Sequence, residues 1–261
     1  VLTSLFFATH TINAETINYI CARSDSFSTL FVIVSLLLFI NLKTRKYYLY
    51  LPSFLIGIWT KQTAVMFIPI LFFYIILFES NTHYKLVKSS ISRWIASVIK
   101  IMWVPTIFGA AIFLVNQLYL TPSSTVSSNF TVTKFEYIST QLYVILHYLG
   151  NFILPTSLSA DPDIEIITPW YDKRILMGLL LILTLIYTAF KCAKNEKTRP
   201  ISFGIAWFFV ALLPTSLVPL FQIANDHRMF FPFMGMFIAV GFAGFYYCLL
   251  YTSDAADERN S

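Results

Sequence analysis

The sequence has few charged residues, and those it has do not form one extended patch. Asp, Glu, Lys and Arg make up only 12% of the 261 residues, whereas 57% are apolar and 18% are aromatic. That charge content is about half the share of an ordinary soluble domain, and a soluble domain of this size could not bury so much apolar surface. A soluble enzyme, a disordered region, a disulfide-rich secreted domain and a nucleic-acid binder are therefore poor interpretations. Three cysteines without metal-like spacing say nothing about the redox compartment.

What the sequence has instead is a series of long apolar runs, which predicts an all-α, polytopic integral membrane protein. A helix needs about 20 apolar residues to cross about 30 Å of hydrocarbon. Residues 1–9 resemble the end of one span. About eight apolar segments follow, at 26–42, 47–59, 64–79, 94–120, 137–155, 175–190, 201–221 and 233–250.

The basic residues between these runs predict an orientation. Three loops hold ten of the 18 basic residues and a single acid, Glu196: Lys43, Arg45 and Lys46; Lys85, Lys88 and Arg93; Lys191, Lys194, Lys197 and Arg199. Cytoplasmic loops are enriched in Lys and Arg, so these three are expected to face the cytoplasm. The acidic loops between them are expected to face the periplasm or a lumen.

One run does not fit this alternation. Between the basic loop at 80–93 and the acidic loop at 156–174 the number of crossings must be odd, yet two apolar runs lie there. We expect 137–155 to be the exception, because Thr140, His147 and Asn151 fall on one helical face. A re-entrant or surface-lying helix would explain it.

Two polar groups lie in the first half of the chain. The first contains His10, Glu15, Arg23 and Asp25, which could bind an anionic or sugar ligand through charge-assisted hydrogen bonds. It could equally be a solvated loop in which Asp25 caps the next helix. The second is Lys61, which lies on the outer side. It could pair with a lipid phosphate or extend its amine to the membrane interface.

Two more groups lie in the second half. Asp161 and Asp163, with Glu165, could hold a divalent metal or accept sugar hydroxyls, although a solvated turn fits the same composition. Asp226, His227 and Arg228 open the last apolar run. Arg228 has the geometry of a phosphate or pyrophosphate clamp, and the alternative is an interfacial arginine in an aromatic belt.

Taken in order, the four groups resemble the membrane domain of the transmembrane and tetratricopeptide-repeat protein O-mannosyltransferases and their bacterial relatives. His10, Glu15, Arg23 and Asp25 follow the spacing of the first family motif, and Lys61 matches its short Ser-Lys-Glu/Gln element. The stretch from Leu158 to Asp161 is similar to a Leu-Ser-x-Asp element of the family. The stretch from Asp226 to Pro232 is similar to the family element Glu-His-Arg-Leu-Tyr-Leu-Pro. The resemblance covers about residues 5–247. Thr11 replaces a usual proline, and Asp226 occupies a Glu position.

This resemblance implies a GT-C fold and transfer of a sugar from a polyprenyl-phosphate donor to a protein Ser/Thr or a glycan hydroxyl. It implies that Arg228, assisted by Lys61, holds the phosphate, and that Asp226 and His227 belong to the same substrate site. Glu15 and Asp25 would bind acceptor or donor hydroxyls, or Asp25 would fix Arg23. His10 would orient Glu15 or contact the donor, and Asp161 would shape the loop near the acceptor. The need for a divalent metal stays open.

The two ends of the chain carry expectations of their own. Residues 248–261 resemble the translation of a sequencing adapter, so residues 1–247 are taken as a partial transmembrane domain. The resemblance places the catalytic acidic pair before residue 1 and the tetratricopeptide repeats after the last run. On that expectation the chain as given would not catalyse transfer itself.

Two other functional classes remain open. A transporter or flippase of lipid-linked sugars predicts charges deep within helices and often inverted repeats, and neither is visible in the sequence. A non-catalytic assembly protein predicts no convergence of Glu15, Lys61, Asp161 and Arg228. The predicted orientation puts all four on one side, which favours a site.

Overall fold

The computed structural model describes residues 1–79, 91–120, 133–156, 158–159, 162–220 and 222–259. Throughout these ranges the secondary structure is helical, without a strand, which confirms the predicted all-α class. In chain order the α-helices are α1 Leu2–Thr9, α2 Ala14–Asn18, α3 Arg23–Ile40, α4 Leu42–Lys46, α5 Tyr50–Thr60, α6 Phe67–Tyr74, α7 Ile91–Val115, α8 Lys134–Ile153, α9 Lys173–Ala193, α10 Arg199–Leu217 and α11 Phe230–Arg259.

Within the described ranges, six helical stretches are long and apolar enough to cross a membrane. They are Ile20–Ile40, Gln62–Glu79, Trp94–Tyr119, Lys173–Ala193, Arg199–Leu217 and Asp226–Cys248. These stretches indicate an integral membrane protein. Fewer segments qualify than the predicted eight, because α5 is apolar but has only 11 residues and α8 is not among the six.

Contacts between the helix ends define two ends of the bundle. At one, Arg45 donates to the Glu79 carboxylate at 2.8 Å, and the Phe78 and Phe203 rings lie 5.8 Å apart, centroid to centroid. We call this the basic end, since it carries the loops after α3 and α9. At the other, Lys61 contacts Asp25 and Gln62 contacts Gln117. We call this the site end. Successive long helices therefore run in alternating directions.

Helices α10 and α11 pack very closely against each other. Gly204 and Gly235 face each other so closely that a Cβ built on either would lie 2.3 Å from the other's carbonyl oxygen. Trp207 Nε1 donates to the Phe231 carbonyl at 3.0 Å beside this crossing. Small residues let membrane helices approach closely enough to pack and to form such hydrogen bonds. The two glycines are far apart in sequence, so no local motif indicates their contact.

Helix α8 lies against the site end rather than crossing the bundle. It starts with a capping box in which Thr133 and Glu136 bond each other's backbone N–H groups. Near that start the Tyr137 hydroxyl donates to the Thr215 carbonyl at 2.8 Å, and near the helix end Phe152 packs against Phe237. Both ends of α8 therefore contact the half of the bundle that holds the site. This placement supports the expectation that 137–155 is not a simple span.

The glycine contact gives a test of the fold. We expect Gly235→Ala to destabilise the protein by about 1–3 kcal/mol, because overpacking of backbone against backbone costs at least that much. The measurement is the free energy of unfolding in mixed micelles. Gly244→Ala on the same helix is the matched control, since a Cβ there meets no atom within 4 Å in the described structure. It should be neutral or stabilising by up to about 1 kcal/mol. Equal effects of the two substitutions would contradict the close approach.

Candidate active site

A cavity of about 840 Å³ lies at the site end, between the start of α3, the α5–α6 connection and the start of α11. Its polar side chains come from segments far apart in the sequence, and its other walls are mostly apolar. The polar lining includes Asp25, Lys61, Gln62, His227 and Arg228. Three of the four polar groups of the sequence thus meet at this one cavity, and Glu15 of the first group lines a neighbouring cavity.

An ion pair between Asp25 and Lys61 forms one wall of this cavity. Asp25 lies in the first turn of α3, and Lys61 is the extended residue at which α5 ends. Lys61 Nζ donates to Asp25 Oδ1 at 2.5 Å, and the Asp25 side chain is only 6% exposed. Asp25 Oδ2 is buried without a hydrogen-bond partner among the described residues. A buried acceptor without a partner is costly, so this oxygen can accept a bond from a ligand hydroxyl.

A second pair, His227 with Glu15, separates the large cavity from a smaller one. His227 Nδ1 lies 3.3 Å from Glu15 Oε1, and the His227 side chain lines both cavities. The smaller cavity has a volume of about 570 Å³ and is lined by Ala14, Glu15, Asn18, Tyr19, Gln222, Asn225 and His227. Glu15 Oε2 is a further buried acceptor without a partner in the described part of the chain. The smaller cavity is therefore rich in groups that bind hydroxyls.

Arg228 is the cation of the large cavity that has no carboxylate partner within the described ranges. Its Nη1 donates to the Gln222 carbonyl at 2.9 Å. A guanidinium has five N–H donors in a planar fork, so donors remain for an anion. Arg228 lies in the 3-10 turn Asp226–Met229. Asn225 caps the start of this turn, because its side chain accepts from His227 N at 3.1 Å.

The turn that presents Arg228 is held from α8 by Tyr148. The Tyr148 hydroxyl accepts from Asn225 N at 2.6 Å and donates to the Asn225 carbonyl at 3.2 Å. Burial raises the pKa of Tyr148 far above its ordinary value, so the hydroxyl keeps the proton that it donates. Gln141 supports the same loop by donating to the Ile223 carbonyl. Tyr148 and Gln141 are not among the residues predicted from the sequence, although their spacing places both on one face of the amphipathic helix α8.

Three residues predicted to bind substrate line neither cavity. His10 stacks on Phe152 with ring centroids 5.4 Å apart, and its Nδ1 accepts from Ile12 N while Nε2 faces the Phe152 carbonyl. Asp226 is buried, and its Oδ2 accepts from Ser159 N at 2.9 Å. Arg23 is exposed. These positions assign packing to His10 and loop anchoring to Asp226. They also differ from two expected pairings, because Lys61 rather than Arg23 contacts Asp25, and His227 rather than His10 contacts Glu15.

The acidic loop does not supply a metal site in the described structure. Asp161 lies outside the described residues, and Asp163 and Glu165 are exposed. Among the described ranges no group of three His, Cys, Asp or Glu side chains is placed to hold a metal ion. The role expected for Asp161 and the need for a metal remain predictions.

Comparison with known proteins gives no match to any family model, curated protein or solved structure.

The ion pair can be tested by a double-mutant cycle. We expect the coupling energy between Asp25→Asn and Lys61→Met to be about 0.5–3 kcal/mol, because contacting residues in one network are not additive. The measurement is again unfolding in mixed micelles. The pair of Asp172 and Arg174, whose atoms approach to 3.1 Å and whose side chains are more exposed than those of Asp25 and Lys61, is the matched control and should show a smaller coupling. Additive effects at Asp25 and Lys61 would show that the pair does not hold the wall of the cavity.

Proposed function

We propose that this chain forms the donor-binding part of a membrane glycosyltransferase that uses a polyprenyl-phosphate sugar. The observation that carries the proposal is the large cavity, in which Arg228 and Lys61 lie with several other polar side chains while the rest of the lining is mostly apolar. A polyprenyl phosphate matches this lining, because it consists of an anionic group joined to a long apolar chain. The resemblance described above, to GT-C mannosyltransferases, supports the same donor class.

The phosphate fits between Arg228 and Lys61. Arg228 has guanidinium donors beyond the one used by Gln222, and an ammonium group has three donors, of which Lys61 gives one to Asp25. Charge-assisted hydrogen bonds from both would bind a phosphate more strongly than either alone. These cations would also stabilise the negative charge that develops as polyprenyl phosphate leaves.

The prenyl chain fits the apolar walls that continue from these cations. They are built by the 3-10 turn Gln62–Met66, by α7 and by the end of α10 with the residue after it, through Val65, Met66, Phe113, Leu213, Leu217 and Val218. Burying each CH₂ group is worth about 0.8 kcal/mol, so the walls add affinity without depending on the sugar. Because the phosphate and the prenyl chain bind to different parts of the cavity, replacing Arg228 or Lys61 should weaken phosphate binding while the prenyl chain still contributes affinity.

The sugar fits the smaller cavity on the other side of His227. Glu15, Asn18 and Gln222 offer carboxylate and amide groups to its hydroxyls, and the half-exposed Tyr19 ring offers an apolar face. In the proposed reaction a carboxylate removes the proton of an acceptor hydroxyl. The acceptor oxygen bonds to the anomeric carbon as the bond from that carbon to the phosphate oxygen breaks.

The proposed site faces away from the cytoplasm. The segments after α3 and α9 hold two clusters of basic residues, Lys43, Arg45 and Lys46 in one and Lys191, Lys194, Lys197 and Arg199 in the other, and both lie at the basic end, opposite the cavities. By the positive-inside rule these loops face the cytoplasm. The donor would then be used on the periplasmic side of a bacterial inner membrane or on the lumenal side of the endoplasmic reticulum.

The proposal predicts that Arg228→Ala weakens binding of polyprenyl phosphate at least about tenfold, since a hydrogen bond to a charged group is worth about 1.5–3 kcal/mol. The chain would be placed in lipid nanodiscs and titrated with polyprenyl phosphate, with bound lipid counted by native mass spectrometry. Arg174→Ala is the matched control, because Arg174 is exposed beside Asp172 and lines neither cavity. It should bind as the parent does. Unchanged binding in Arg228→Ala would remove the clamp and with it the proposed function.

A further inference from the structure

A third cavity lies at the basic end of the bundle and differs from the other two in being almost entirely apolar. It has a volume of about 360 Å³ and lies between α9, α10 and the turn that continues α6. Its lining includes Ile186, Ala189, Phe190, Ile205, Ala206 and Val210. Its floor is buried, as Ile205 and Val210 show, whereas Phe190 at its edge is 70% exposed. It is therefore a groove that opens on the apolar surface of the bundle.

The same groove runs up to a basic loop. Ala193 and Ser202 line it, and the loop between α9 and α10 connects these two positions directly. Lys191, Lys194 and Lys197 are exposed there. Arg199 lies 3.7 Å from Glu196, so one cation of the loop is already balanced. The three lysines leave a local excess of positive charge at the mouth of an apolar groove.

An apolar groove that ends in cations fits an amphiphile with an anionic head. Basic pockets between membrane helices bind the headgroups of anionic lipids, and each lysine near a membrane surface adds about 1 kcal/mol. A second copy of this chain fits less well. Membrane topology would place its own basic loop at the same level, so like charges would oppose each other across the interface.

We infer that this groove is a binding site for an anionic phospholipid, with one acyl chain along α10 and the headgroup phosphate at Lys191 and Lys194. The site lies at the end of the bundle opposite Arg228. It is independent of the proposed sugar transfer, because no residue of the groove lines either of the other two cavities. The bound lipid would fill the space between α9 and α10.

The inference can be tested by lipid competition. The chain would be equilibrated with equal amounts of phosphatidylglycerol and phosphatidylcholine in micelles, and the retained lipid counted by native mass spectrometry. We expect the parent to retain phosphatidylglycerol in preference. The double variant Lys191→Gln/Lys194→Gln should lower that preference at least about tenfold. Filling the groove with Ala206→Phe should lower retention of the lipid itself, and Ala189→Phe provides a second groove-filling variant if the first does not fold.

Two matched controls make the result decisive. Lys43→Gln/Lys46→Gln removes the same charge from exposed positions in the other described basic loop, and Ala110→Phe adds the same ring to an exposed position on α7. Both should retain phosphatidylglycerol as the parent does. An equal loss in the Lys43/Lys46 variant would mean that only general surface charge is sensed. Unchanged retention in both groove-filling variants, or a change from dimer to monomer on filling the groove, would overturn the inference.

Discussion

The ion pair between Asp25 and Lys61 is the interaction on which the site end of the bundle depends. A charged side chain in or near the hydrocarbon region is costly unless it is paired. Lys61 ends α5 and Asp25 starts α3, so their contact fixes where these two helices meet. It also keeps a cation beside the large cavity and leaves Asp25 Oδ2 for a ligand. This ion pair thus connects α3 to α5 and also supplies polar groups to the large cavity.

The second constraint is that α8 stays on the site end. Because it does not cross, its buried face is available to hold the loop before α11 through Tyr148 and Gln141. That loop carries His227 and Arg228 into the large cavity. The position of Arg228 is therefore set by contacts between segments about 80 residues apart, as the 77-residue separation of Tyr148 and Asn225 illustrates. Such contacts hold the side chains more precisely than the loop could alone.

The sequence predicts the class of fold and several of the residues that line the two cavities, but not which residues contact each other. Apolar runs and basic clusters predict the helices, since both follow directly from the cost of polar groups in lipid. Residue types alone also indicated Lys61 and Arg228. The partners of Asp25 and Glu15 could not be predicted, because pairing across helices depends on rotation and depth. For the same reason the packing of the His10 ring on Phe152 could not be predicted from a sequence in which His10 is expected to orient Glu15 or to contact the donor.

The most direct measurement is an experimental structure of the chain in nanodiscs with a polyprenyl-phosphate sugar bound. We expect density for the phosphate between Arg228 and Lys61, the prenyl chain along Val65, Phe113 and Leu217, and the sugar beside Glu15. A lipid phosphate bound elsewhere, with the large cavity empty at saturating donor, would contradict the assignment of this cavity as the donor site.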